Sequence, residues 1–210
     1  MEIIKTLLLS LAAFGLASVP FSILVGKWIL HEDIRHFGDG NPGAANVFKA
    51  GGQKSGVLAV LLDVAKGIPF VLLAYFVFDL PAPSLVAIGI AAVLGHAWSP
   101  FLGWRGGKAI AVTFGVLLAY PRHEILLAFI IFMVFGFLFI DSDSWVPVFG
   151  AAATAIYSGV THGGWSTLLM ALILAILTIK QLDSIHHLPG LKGRLVRWVQ
   201  ALVKVTLSIL

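Results

Sequence analysis

Apolar residues fall in long blocks along this chain rather than in strict alternation, and the blocks define the elements. Seven of them predict helical spans, at about Ile3–Val25, Val57–Phe78, Ser84–Ala97, Ala109–Tyr120, Ile125–Ile140, Trp145–Val160 and Trp165–Ile179. An apolar run of about 20 residues is long enough to cross a hydrocarbon layer as a helix. The third and fourth blocks are shorter, so the third is expected to stop within the headgroup zone. Pro20 should kink the first span or end its regular part, since proline removes a helical N–H and crowds the preceding turn. Beyond the blocks, Leu195, Trp198, Val199, Leu202 and Val203 recur at helical spacing against Arg194, Arg197, Gln200 and Lys204. That pattern predicts an amphipathic helix over 193–210 lying on an anionic membrane surface, with a packed eighth helix as the alternative.

Composition agrees with the blocks. Of 210 residues, 59% are hydrophobic and 11% charged, too few charges for the surface of a soluble domain this size. The predicted fold class is all-α: a polytopic membrane protein with seven transmembrane helices, one domain over 1–192, and the interfacial helix over 193–210. The first run is too long for a signal-peptide core, begins with Glu2 and lacks a small-residue cleavage site, so it is read as a membrane helix. No cysteine is present, which excludes disulfides, thiolate metal ligation and a cysteine nucleophile.

The formal charge of +4 matters through its placement. Lys27, Arg35, Lys49 and Lys54, then Arg105 and Lys108, then the cations after the seventh span all fall on one side of a seven-span layout. The opposite loops hold Arg122 as their one strong base. The positive-inside rule then puts the N-terminus outside and the C-terminus in the cytoplasm. Cations in short loops beside apolar helices do not make a nucleic-acid face, so no nucleic-acid partner is expected.

Two polar islands interrupt the apolar blocks. Residues 35–56 carry Gly38, Gly40, Gly43, Gly51, Gly52 and Gly56, with Asn41, Asn46, Arg35, Lys49 and Lys54 among them. Two readings stand: ordinary turn chemistry between helices, or backbone N–H groups converging into a nest for an anion. Residues 95–108 end in Arg105-Gly106-Gly107-Lys108 at the foot of the fourth helix, where free N–H groups and cations favour phosphate. The alternative is that Arg105 and Lys108 are charge anchors and His96 an interior, hydrogen-bonded histidine. Asp63 and Lys66 lie three apart inside the second span and must share a helix face. Charge in hydrocarbon costs about 2.5–3.5 kcal/mol per residue on insertion scales, so both should face the bundle interior or a wet cavity. They form either a self-neutralising pair or part of a substrate site.

Taken together, these residues resemble the bacterial membrane acyl-phosphate:glycerol-3-phosphate acyltransferases, the PlsY type. The likeness runs through Ser18-Val-Pro-Phe-Ser22 with Gly26-Lys27, Asp33-Ile-Arg35, and Gly38-Asp-Gly-Asn-Pro-Gly-Ala-Ala-Asn-Val-Phe-Lys49. It continues through Gly51-Gly52, Gly56, Leu62-Asp63 with Lys66-Gly67, Gly95-His96, Pro100 and Gly106-Gly-Lys108. The chain departs from the family pattern at Asp39, Ala45, Lys49, Gln181 and Ser184, where that pattern carries Ser, Thr, Arg, His and Asn.

The resemblance implies transfer of an acyl group from acyl phosphate to the 1-hydroxyl of glycerol 3-phosphate, giving lysophosphatidic acid and phosphate in phospholipid synthesis. A mixed anhydride has a good leaving group, so no metal, cofactor or covalent nucleophile is demanded, and positioning with donors at the oxyanion can suffice. His96, Lys108 and Asn41 are the expected catalytic residues. Asp39, Gly40, Gly43, Asn46, Lys49, Lys66, Arg105, Gly106, Gly107, Gln181 and Ser184 are expected to bind substrate. The base is either His96 or a substrate phosphate. Acyl phosphate, glycerol 3-phosphate and membrane lipids are the expected partners of a monomer in the bacterial inner membrane. Alternatives are a family member with another acceptor or no activity and, from a different class, a small transporter of phosphorylated solutes.

Overall fold

In the computed structural model, residues 1–184, 188–190 and 192–193 are described, and their regular structure is nearly all helical. The expected helix over 193–210 lies outside them, apart from Gly193. Helix α1 (Glu2–Ser18) ends at Val19-Pro20, as the proline predicts: Val19 is extended, the conformation a following proline imposes. The chain resumes as α2 (Phe21–Val25) and a π-helical turn to Leu30, so the first span runs further than Val25 and carries Lys27 within it. The first glycine island is not all loop either, because α3 (Ala44–Lys49) forms inside it.

Helix α4 (Gln53–Ala65) begins before Val57, breaks around Lys66-Gly67-Ile68 ahead of Pro69, and continues through α5 (Pro69–Leu72) and a π-helical turn to Val77. Helix α6 (Ala82–Ala97) is extended by a short turn to Leu102, which corrects the expectation of an abbreviated third span. Then follow α7 (Ile110–Ala119), α8 (His123–Phe139), α9 (Trp145–Thr161) and α10 (Gly164–Gln181). Among the described residues four segments are long and apolar enough to cross a membrane: Glu2–Leu30, Gln53–Val77, Ala82–Leu102 and Gly164–Gln181. Ile110–Ala119 and His123–Phe139 are apolar but shorter.

The bundle is apolar on both sides. Its interior holds Ile88, Val116, Leu117, Phe129, Leu169 and Ile173, while Leu7, Leu11, Phe76, Ile131, Phe135, Leu138 and Ile156 point outward. An outer surface of that kind is suited to lipid. With lipid as apolar as the core, close backbone approach has to drive helix association. Gly115 supplies it on α7, where an added Cβ would run into the Val64 carbonyl of α4. The α4–α7 contact brings the end of the second glycine island against the first. Beyond α10, Gly190 exchanges hydrogen bonds with Asp141, which ties the chain back to the α8–α9 turn.

Candidate active site

Pro20 does more than kink the first span. The break leaves the Ser18 and Val19 carbonyls outside the helical ladder, and polar groups at membrane depth need such partners. Ser99 Oγ donates to the Ser18 carbonyl at 2.6 Å, and Lys66 Nζ donates to the Val19 carbonyl at 2.9 Å. Lys66 also pairs with Asp63 at 2.7 Å, and Ser22 Oγ donates to the other Asp63 oxygen at 2.6 Å. Both charged side chains are almost wholly buried, 2% exposed for Lys66 and 3% for Asp63. The sequence puts this pair in the bundle interior or against a cavity; Lys66 lies in the interior, and Asp63 also reaches the wall of a cavity.

Above the pair, the second glycine island folds onto the end of α6. The Gly107 N–H donates to the His96 carbonyl at 3.0 Å, and a Cβ on Gly106 would overlap that carbonyl. The left-handed conformations of Trp104 and Ala109 complete the turn into α7. The result delivers Lys108 to the first island, where its Nζ lies 2.8 Å from Asp39 Oδ2.

The first island is organised around the same carboxylate. The Asn41 N–H donates to Asp39 Oδ1 at 3.2 Å, and Asn46 Nδ2 donates to it at 3.0 Å and to the Asn41 carbonyl at 2.9 Å. Partial burial pushes the Asp39 carboxyl up, but Lys108, the Asn41 N–H and Asn46 outweigh it and hold the group down at about 2. At the rim, the Arg35 guanidinium lies 2.6 Å from Asp33, and its hydrogen bonds hold that carboxyl well below the usual range.

Two cavities meet here. One, of about 700 Å³, is lined by Arg35, Asp39, Gly40, Asn41, Pro42, Trp98, Leu102, Trp104, Arg105, Gly106, Lys108, Lys180 and Ser184. The other, of about 480 Å³, is mostly apolar, with Val60, Val64, Ile110, Ala111 and Phe114 in its wall beside Gly43, Asn46, Lys49, Asp63, His96 and Gln181. Asp39, Asn41 and Lys108 line both, so they form the partition between a cationic chamber and an apolar one. Asn41 Oδ1, Asn46 Oδ1 and Gln181 Oε1 are buried without a hydrogen-bond partner among the described residues. An amide oxygen buried in a cavity wall is open to a polar partner, substrate or water.

Most of the expected residues therefore come together, on two sides of one partition. Gly107 and Lys66 line neither cavity: Gly107 packs against the His96 ring, and Lys66 is held by Asp63 and Val19. His96 is buried on the apolar side, its Nδ1 3.8 Å from Asp63 Oδ1, too far for a hydrogen bond. The sequence reading missed Trp98, Trp104 and Lys180. Lys180 Nζ donates to the Gly106 carbonyl at 3.2 Å and sits over the Trp98 ring, 5.5 Å from its centre. Its signal was its place one residue before Gln181, a position the sequence already ties to the family pattern.

A cationic chamber opening through a polar partition onto an apolar one, inside a helical bundle with an apolar outer face, has a shape suited to amphiphiles with anionic groups. The sequence model for glycerol-3-phosphate acyltransferase matches residues 7–189. A glycerol-3-phosphate acyltransferase of Neisseria meningitidis (serogroup C / serotype 2a) is 36% identical over 168 residues, covering 77% of this chain and 84% of that protein. One from Lactiplantibacillus plantarum is 30% identical over 175 residues, covering 83% of this chain and 82% of that one.

Among solved structures, PlsY (YgiH), an integral membrane glycerol 3-phosphate acyltransferase, superposes in its glycerol 3-phosphate form with a TM-score of 0.77. That match has 29% identity over 85% of this chain and 89% of that one. Its lysophosphatidic acid form gives a TM-score of 0.75 at 28% identity. The chain belongs to the glycerol-3-phosphate acyltransferase family, and it is a multi-pass bacterial membrane protein.

Proposed function

We propose that the protein transfers an acyl group from acyl phosphate to the 1-hydroxyl of glycerol 3-phosphate, releasing lysophosphatidic acid and inorganic phosphate. The observation that carries this reading is the shared partition of Asp39, Asn41 and Lys108 between a cationic and an apolar cavity. An acyl chain suits the apolar side, and phosphates suit the side that holds Arg35, Arg105 and Lys180. The carbonyl carbon that joins the two halves of the donor then lies at the partition. There the acceptor oxygen attacks, the bond to the phosphate oxygen breaks, and phosphate leaves with its electron pair. Lys108 and Asn41 can stabilise the oxyanion that forms between these steps. His96, on the apolar side, is the protein group assigned to take the hydroxyl proton, with a substrate phosphate as the alternative base.

Gly40, Gly106 and Ser184 shape the cationic chamber, and Gly43, Asn46, Lys49 and Gln181 border the apolar one. We further propose that the protein works as a monomer. The cation distribution turns this end of the bundle to the cytoplasm, with the N-terminus outside.

The deciding experiment supplies purified protein with palmitoyl phosphate and follows phosphate release with and without glycerol 3-phosphate. Release that depends on the acceptor is expected. Hydrolysis indifferent to it would remove glycerol 3-phosphate from the reading. One specific observation favours a second acceptor: Asp39 puts a carboxylate where a phosphate is to bind. Release stimulated by a different polyol and not by glycerol 3-phosphate would decide for that.

A further inference from the structure

The donors that a phosphate needs in the first island are already engaged by the protein itself. Asp39 collects a backbone N–H from Asn41, a side-chain amide from Asn46 and the Lys108 ammonium, at 3.2, 3.0 and 2.8 Å. That is the kind of donor set an anion collects in a glycine-rich nest, strengthened by an ionised partner. The seat is built by the backbone, since Asp39 stands between two glycines in the left-handed region, Gly38 at φ 62° and Gly40 at φ 73°. The carboxylate has somewhere else to go, because its side chain is 40% exposed. Asp63, 3% exposed and held by both Lys66 and Ser22, has not.

We infer that Asp39 is a tethered anion seated in the first island's phosphate site, which an incoming phosphate must displace from Asn41, Asn46 and Lys108. The inference rests on reading the glycine islands as phosphate sites, and it makes Asp39 the residue that sets affinity and selectivity there. A phosphate dianion offers more charge and more acceptor oxygens than a carboxylate, so it can win the exchange. A singly charged anion has no such advantage over a competitor held at high local concentration by the chain. The tether therefore screens out weak anions and lowers the affinity for every phosphate, including the phosphate released as product.

The test measures equilibrium binding of inorganic phosphate to the purified full chain in detergent. It compares wild type, Asp39→Asn, Asp39→Ser and the double variant Asp39→Asn/Lys108→Ala, with gel filtration and melting temperature as controls on folding. Both single variants should bind phosphate about tenfold more tightly or better, the scale of one charge-assisted hydrogen bond released to the ligand. The added Lys108→Ala should abolish that gain. Unchanged or weaker binding in a folded single variant overturns the proposal, as does a gain that survives loss of Lys108. Acyl transfer measured on the same preparations separates this inference from the functional reading. Tighter phosphate binding without acyl transfer in any variant would keep the tethered anion and remove the reaction. Acyl transfer with unaltered phosphate binding would do the reverse.

Discussion

Two aspartate–lysine pairs hold this molecule together near its catalytic end, and they differ in almost everything but length. Asp63–Lys66 measures 2.7 Å and Asp39–Lys108 measures 2.8 Å. Both aspartates reach a cavity wall, but the first pair is buried, at 3% and 2% exposure, while the second stands open at 40% and 23%. The first has its remaining valences met by Ser22 and Val19, groups made available by a proline break. The second is met by loop donors that a ligand could equally well use. Distance alone therefore says little about what an ion pair is for. Burial and the alternatives open to each partner decide whether it is a strut or an exchangeable clasp.

The largest expected effect separates the two directly. Lys66→Ala leaves Asp63 charged and unpaired inside the bundle and should cost about 3–5 kcal/mol of stability, read as a large fall in melting temperature in detergent. Replacing both partners, as Asp63→Leu/Lys66→Met, should recover most of that loss, because apolar residues need no partner there. A double variant as unstable as the single one would mean that the pair is part of a wider network rather than a self-contained strut.

Lys108→Ala should show the opposite signature. We expect a melting temperature near wild type and acyl transfer reduced by about 10²–10³-fold, the scale for removing one oxyanion donor. Wild-type turnover in the folded variant would remove Lys108 from the chemistry.

The smallest effect is the pH response of the clasp. In the folded protein the Asp39 carboxyl is held at about 2 against a usual 3.8, so the folded state binds its proton less readily than the unfolded chain. The pair therefore contributes its full stability above pH 4 and loses it as pH falls through about 2. The difference in melting temperature between wild type and Asp39→Asn should shrink over that window and stay flat above it. A difference that persists at pH 2 would show that charge is not what the pair supplies.

Much of this was legible in the sequence. The apolar blocks gave the helices, and the glycine islands with their cations pointed to two loops meeting, as they do at Asp39 and Lys108. What escaped depends on contacts made across the chain. Helix α3 is too short and too closely flanked by glycines to leave a periodic signal. The first span passes Lys27 because a π-helical turn carries it to Leu30. Lys66 reads as a substrate residue in the sequence, which does not show that Asp63 and the Val19 carbonyl hold it instead. Lys180 and the two tryptophans join the site only when α10 packs next to α6.

The partition shared by the two cavities has a further implication for a reagent as fragile as a mixed anhydride. Its oily tail and its ionic head would occupy separate rooms, and the doorway between them would expose a single electrophilic carbon. Bulk solvent approaching from either room would meet a filled space. Selectivity against hydrolysis would then come from where the walls stand, with no need for a moving cover.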